Sequence, residues 1–347
     1  MTRMDKKLES IRAGRYRRKD FIIADAKDAD MGSGVNGLGF VRSNDGSSQR
    51  QRTRQEFLDQ IVEIIDQDVV DIMLVSASNL DLLHERGAFK KSAVKPAIRA
   101  NDTTDCWGGV RHANYTKYPS LPFATADISR VMYGSGLGKP DAPVTGTDLG
   151  LYSLTFVNDL TLDMAAQNRF SEFRTKAASI GFKYFFEVFN PNVELGWSRE
   201  QIGEFVNDSI IRCLAGVNIQ DRPLFLKMPF NGAKAVEELA AFDSSLIVGV
   251  LGGGAGTTRD TMELIFQAEK YGARLALFGR KINLAEDAGA LVNLMRRVAD
   301  GDVGPEEAVK AYHGHLQKVG IKPIRALEDD RVITETVLKP AATLRAA

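Results

Sequence analysis

The chain has 347 residues, 44% of them hydrophobic and 26% charged, as expected of a globular protein with a substantial core. Its 45 basic residues balance 45 acidic ones, so bulk charge gives no argument for nucleic acid or an anionic membrane as partner. The two cysteines, Cys106 and Cys213, are too few and too far apart for a disulfide framework, which leads us to expect a reducing, cytoplasmic setting.

The opening "MTRMDKKLESIRAGRYRRKDF" is basic but has no apolar h-region, so it does not read as a secretory signal. Residues 1–19 read as an N-terminal extension, with "RYRRK" a solvated face. From there to about residue 320, short apolar runs alternate with amphipathic stretches. "FIIADAK" is followed by "RQEFLDQIVEIIDQ", which has helical spacing, and "DIMLVSA" by "NLDLLHERG". "KPAIRAN" leads into a long irregular stretch, residues 102–145, rich in Gly, Pro and Tyr. "LYSLTFVN" and "KYFFEVFN" are separated by a long helical segment. "PLFLKMPF", "SLIVGVLGGG" and "ARLALFGR" complete the strands, and two further helices follow, near 284–300 and 305–318. "SSLIVGVLGGGAG" is too short to span a bilayer.

Eight strands, each followed by a helix or a long connection, point to one (β/α)8 barrel over residues 20–320, with a doubly wound open sheet as the other possibility. The 102–145 stretch reads as an elaborated loop at the barrel mouth. Residues 321–347 read as an arm or tail.

Active sites of this fold lie at the C-terminal ends of the strands. Strand alternation puts Ile23, Asp25 and Lys27 on one face, Phe185, Glu187 and Phe189 on another, and Phe225, Lys227 and Pro229 on a third. Asp25, Glu187 and Lys227 therefore fall at similar depths among apolar neighbours. A lysine in an apolar pocket has its ammonium form disfavoured, and the free amine can attack a ketone or aldehyde to form an imine. A carboxylate one strand away can move the protons. The alternative for the trio is an ion-pair network plugging the barrel.

"VLGGGAGTT" places Gly252, Gly253, Gly254 and Gly256 where the seventh strand passes into a helix, and "LFGRK" ends the eighth with Gly279, Arg280 and Lys281. Glycines allow close backbone approach, amides at a helix start attract anions, and the loops after strands 7 and 8 recur as a phosphate site. The glycines do not fit a dinucleotide fingerprint, because they come late in the chain and no acidic residue follows to hold a ribose. Four histidines, His84, His112, His313 and His315, show no chelating pair, and no metal or other cofactor is expected.

"FIIADAKD", "YFFEVFNPN", "PLFLKMPF", "VGVLGGGAG" and "LFGRK" resemble the functional strands of class I, Schiff-base aldolases. The likeness is closest to the tagatose-bisphosphate and sulfofructose-phosphate aldolase group, with archaeal-type fructose-bisphosphate and deoxyribose-phosphate aldolases further off. The resemblance implies Lys227 as the Schiff-base lysine, Glu187 as the acid/base and Asp25 as the first-strand aspartate. It implies a phosphate held at Gly253, Gly254 and Ala255, then Gly279 and Arg280. In place of the family's usual "DQR" or "DHG" run, this first strand has Asp25, Ala26 and Lys27.

The expectation is thus a metal-independent aldolase that cleaves or forms a phosphorylated ketose or related keto sugar. Lys27, Arg99 and Asn101 would meet the other end of the substrate. A sugar-phosphate isomerase or epimerase with Glu187 as base, and a non-catalytic sugar-phosphate-binding protein, are the alternatives. A homo-oligomer is expected. Within residues 102–145, Trp107, Arg111 and His112 fit either a lid over an anionic substrate or, with Tyr115, Tyr118 and Phe123, a subunit contact.

Overall fold

Each of the eight apolar runs becomes a parallel strand. The computed structural model describes residues 1–106, 110–134, 143–254 and 256–339. Its central strands are Ile22–Lys27 (β1), Ile72–Val75 (β2), Lys95–Arg99 (β3) and Leu149–Thr155 (β4), followed by Lys183–Phe189 (β5), Leu226–Lys227 (β6), Gly249–Leu251 (β7) and Leu275–Phe278 (β8). Each pairs in parallel with the next, and β8 pairs with β1. Between β6 and β7 the contact narrows to a bridge, Met228 with Val250. There Met228 N donates to Gly249 O at 3.0 Å and Leu251 N donates to Met228 O at 2.9 Å. The sheet therefore closes into a (β/α)8 barrel.

Two separate cores follow from strand alternation. Ile22, Ala24, Ile72, Leu74, Leu151, Phe185, Phe225 and Leu277 fill the lumen, whereas Ile23, Met73, Ile98, Phe186, Met228 and Phe278 pack outward against the helices. Stacked Phe185 and Phe225, with ring centroids 4.7 Å apart, lie two residues below Glu187 and Lys227 on β5 and β6. Gly249 lies where a Cβ would come 2.5 Å from both Leu226 O and Leu275 Cγ, so the packing there leaves no room for a side chain.

The helix Arg54–Gln67 shows how sequence builds the outer layer. Thr53 Oγ1 accepts from Glu56 N at 3.3 Å while the Glu56 carboxylate accepts from Thr53 N at 2.9 Å, a capping box. Phe57, Leu58, Ile61, Ile64 and Ile65 recur at helical spacing and are all buried. Each such side chain contributes about 1.5–3 kcal/mol of burial.

The N-terminal extension is part of the barrel. Helix Arg3–Arg12 inserts Met4 and Leu8 into the lumen core. At the floor, fully buried Asp71 accepts from Lys7 Nζ (2.9 Å), Arg3 Nε (2.9 Å), Arg296 Nη2 (2.7 Å) and Ile23 N (2.8 Å). At the opposite end, the connection after β3 carries an antiparallel pair, Asp102–Thr103 with Pro122–Phe123, and a short helix, Ile128–Tyr133. Segment 332–338 is strapped to helix Thr258–Lys270: Thr334 N donates to Asp260 Oδ1 and Gln267 Nε2 donates to Leu338 O, both at 2.8 Å. No helix among the described residues is long and apolar enough to cross a membrane.

Candidate active site

Lys227 and Glu187 occupy paired positions on β6 and β5, on the lumen face directly above the Phe185–Phe225 stack. Their register brings Lys227 Nζ to 2.5 Å from Glu187 Oε1, with the side chains 8% and 1% exposed. A buried lysine and a buried glutamate each need a partner, and here each is the other's. The second carboxylate oxygen is also engaged. Ser153, paired with Glu187 across β4 and β5, donates its hydroxyl to Glu187 Oε2 at 2.6 Å.

Arg99 organises the adjoining wall. Its Nη1 donates to Ser153 Oγ at 3.1 Å, its Nε lies 2.5 Å from Asp28 Oδ2, and its Nη2 lies 3.6 Å from Glu187 Oε2. Asp102 Oδ1 lies 3.5 Å from Nη1. Burial works against the Arg99 charge, but Asp28, Cys106, Glu187 and Asp102 outweigh it and raise its pKa well above the ordinary value. Burial likewise pushes Asp28 up, yet Arg99 and then Lys227 hold it below the usual carboxylate range. For Asp102 the balance reverses: burial, opposed by Arg99 and reinforced by Asp28 and Glu187, raises it to about 6.

Asn101 is buried and serves the frame, since its amide donates to Ser153 O at 2.8 Å and its Oδ1 accepts from Ser153 N at 2.6 Å. It thereby fixes the strand segment that carries Ser153.

Asp25 and Lys27 are not brought to this cluster. Asp25 is in register with Met73 and Phe278, both of the outer core, whereas Ala24 is in register with Ile72 and Leu277 of the lumen. Asp25 and Lys27 therefore point toward the helices. Lys27 Nζ lies 3.5 Å from Asp25 Oδ2 and donates to Gln60 Oε1 of helix Arg54–Gln67 at 3.2 Å. Neither Asp25 oxygen has a hydrogen-bond donor, and burial raises its pKa to about 6 against the pull of Lys27. Burial lowers the pKa of Lys27, with Asp25 opposing. The carboxylate from this part of the chain that shares Arg99 with Glu187 is instead Asp28, just past the end of β1.

The glycine loops meet at the mouth of β7 and β8. Arg280 Nη2 donates to Gly253 O at 2.9 Å and Lys281 Nζ donates to Gly256 O at 3.1 Å, tying the two loops together. Gly279, just past the end of β8, packs against β1; a Cβ there would sit 2.7 Å from Ala26 O. Gly253 and Gly254 line a cavity of about 200 Å³ with Asn190, Arg199, Asn231 and Glu335. Its lining reaches Pro229, two residues beyond Lys227. Ala255 lies outside the described residues, as do Trp107, Gly108 and Gly109, while Arg111 and His112 are exposed.

Three participants carried a signal that strand alternation alone did not single out. Asp28 continues the Ala24–Ala26 face, whose small residues mark the narrow lumen. Ser153 is a hydroxyl on the Leu149–Leu151 face of an otherwise apolar strand. Asp102 follows Arg99 by three residues, the spacing of their ion pair.

The fold is an eight-stranded barrel with a buried lysine–glutamate pair at its C-terminal mouth, an arrangement that can support amine or proton-transfer chemistry. No family model matches the chain, and no curated protein matches it in sequence. Among solved structures it is similar in fold to an archaeal fructose 1,6-bisphosphate aldolase, with TM-score 0.58 and 13% identity over 86% of this chain and 99% of that one. A structure of an archaeal fructose-1,6-bisphosphate aldolase with the catalytic lysine covalently bound to the carbinolamine intermediate of the substrate gives 0.57 and 13% over 86% and 100%. A Corynebacterium glutamicum protein solved by structural genomics gives 0.55 and 16% over 86% and 98%. At these identities the likeness is one of fold.

Proposed function

We propose that this protein is a class I, Schiff-base aldolase acting on a phosphorylated keto sugar. The observation that carries the reading is the buried 2.5 Å contact between Lys227 Nζ and Glu187 Oε1 at the mouth of the barrel. A proton passing along that contact leaves a free amine beside a carboxylic acid, the two groups that carbonyl addition needs. The amine adds to the substrate carbonyl, and Glu187 protonates the carbinolamine hydroxyl so that it leaves as water. Glu187, again a carboxylate, then takes the proton from the hydroxyl on the carbon beyond the scissile bond. The bond's electron pair moves into the protonated imine, giving an enamine and a free aldehyde. Reprotonation of the enamine and addition of water regenerate Lys227. None of these steps requires a metal.

Ser153 and Arg99 hold Glu187 while it cycles, and Asp28 takes the part expected of Asp25. Phosphate is assigned to Gly253, Gly254, Gly279 and Arg280. A guanidinium has five N–H donors, so Arg280 can keep its bond to Gly253 O and still meet an anion. Release of aldehyde from a panel of ketose phosphates, followed in the wild type and in Lys227→Met, tests the proposal. Turnover in the wild type and none in the variant is expected, and turnover that survives in Lys227→Met contradicts it.

A further inference from the structure

The two sides of the barrel mouth differ in charge: around the glycine loops Arg199, Arg280 and Lys281 stand with Glu335 and Asp260, whereas on the other side carboxylates outnumber cations. On the β7–β8 side stand the glycine loops with Arg280 and Lys281. On the β1–β5 side the carboxylates Asp28, Asp102 and Glu187 surround Arg99, and Asp105 lies near them, accepting from Ser120 Oγ at 2.6 Å and from Thr155 Oγ1 at 3.3 Å. Among the described residues, the cations ion-paired with these four carboxylates are Arg99 and Lys227. An imine formed on Lys227 is protonated and leaves that count unchanged. A second phosphate on this side would face a net negative wall, at a depth where charges are weakly screened.

The same wall holds an acceptor that lacks a hydrogen-bond donor. Asp102 is 2% exposed, and its Oδ1 accepts no hydrogen bond although it lies 3.5 Å from Arg99 Nη1. A buried carboxylate oxygen without a donor is costly, and a substrate hydroxyl reaching it would supply one.

We infer that the substrate carries a single phosphate, held on the β7–β8 side, and that its other end is an uncharged, hydroxyl-bearing chain read by Asp102. This rests on the aldolase reading above and deepens it. Arg99, expected from the sequence to meet the substrate directly, becomes on this view a positioning residue, because its guanidinium is already surrounded by Asp28, Ser153, Glu187 and Asp102.

The test compares the 1-phosphates, 6-phosphates and 1,6-bisphosphates of fructose and tagatose, measuring kcat/KM and borohydride-trapped protein for each. For at least one sugar, a monophosphate should give an adduct on Lys227 and a kcat/KM at least tenfold above that of its bisphosphate. Asp102→Asn should bring that ratio to within about threefold of unity. Bisphosphates cleaved as well as or better than monophosphates would overturn this inference while leaving the aldolase reading intact. A monophosphate preference unchanged in a folded Asp102→Asn variant would overturn the role of Asp102. No adduct with any of the six sugars would overturn the aldolase reading, and this inference with it. The wild-type ratio decides the charge argument even if the variant fails to fold.

Discussion

Arg99 Nε lies 2.5 Å from Asp28 Oδ2, joining the third strand of the barrel to the residue just past its first. Both groups are buried, and the same guanidinium reaches Ser153, Glu187 and Asp102. Removing it would leave three carboxylates in a low-dielectric site without their shared counter-charge. Arg99→Met is therefore expected to cost about 3–5 kcal/mol, the range for breaking a buried pair from one side. Arg99→Lys should recover part of that loss but not the fork geometry. Urea unfolding of the two variants checks this, and a loss below about 1 kcal/mol in Arg99→Met would show that the carboxylates are satisfied without it.

Glu187→Gln preserves shape and can still accept from Ser153, but the amide cannot shuttle a proton. We expect kcat to fall about 10²- to 10⁴-fold, the range for a lost general acid–base, with the melting temperature changed by only a few degrees. A kcat within threefold of wild type would assign the proton transfers elsewhere.

Gly279→Ala forces a methyl to within 2.7 Å of Ala26 O, so the end of β8 must move away from β1 and carry Arg280 with it. KM should rise about tenfold, or about 1.4 kcal/mol in binding, with kcat less affected. Steady-state kinetics separate the two, and an unchanged KM would remove the loop after β8 from the phosphate site.

Burial pushes the Asp25 carboxyl from an ordinary 3.8 up to about 6 in the folded chain, against the pull of Lys27 3.5 Å away. The sign follows from proton linkage: a raised folded pKa gives stability that is fully present below about pH 4 and is lost as pH rises through about 6. Asp25→Asn removes that term. The melting temperature of the variant relative to wild type should therefore rise between pH 4 and pH 6.5. The full shift corresponds to roughly 3 kcal/mol, before the loss of the Lys27 contact is subtracted. A flat difference across that window would mean that Asp25 is not desolvated. Activity should change by less than threefold, since Asp25 faces the helices.

All eight strands were legible in the sequence because each is an apolar run flanked by helical periodicity. On β5 and β6, alternation also indicated which face meets the lumen, since Glu187 and Lys227 interrupt otherwise apolar strands. On β1 it did not. That strand is buried on both faces, and a doubly buried strand has no polar side to set its orientation, so Asp25 reads as well inward as outward. The lumen is instead marked by Ala24 and Ala26, the first in the inner core and the second packed against it. Arg99 was identified as a mouth residue, but its partners come from the end of β1, from β4 and from a loop. The contacts to Asp28, Ser153 and Glu187 depend on barrel closure and leave no local pattern in the chain, whereas Asp102 lies three residues from Arg99.

The most direct test of the account is to reduce the protein with borohydride in the presence of a ketose monophosphate that it cleaves, then map the modified peptide by mass spectrometry. A single adduct is expected, on Lys227, that forms only with substrate present and abolishes turnover. An adduct on any other lysine, or turnover that survives reduction with substrate bound, would contradict it.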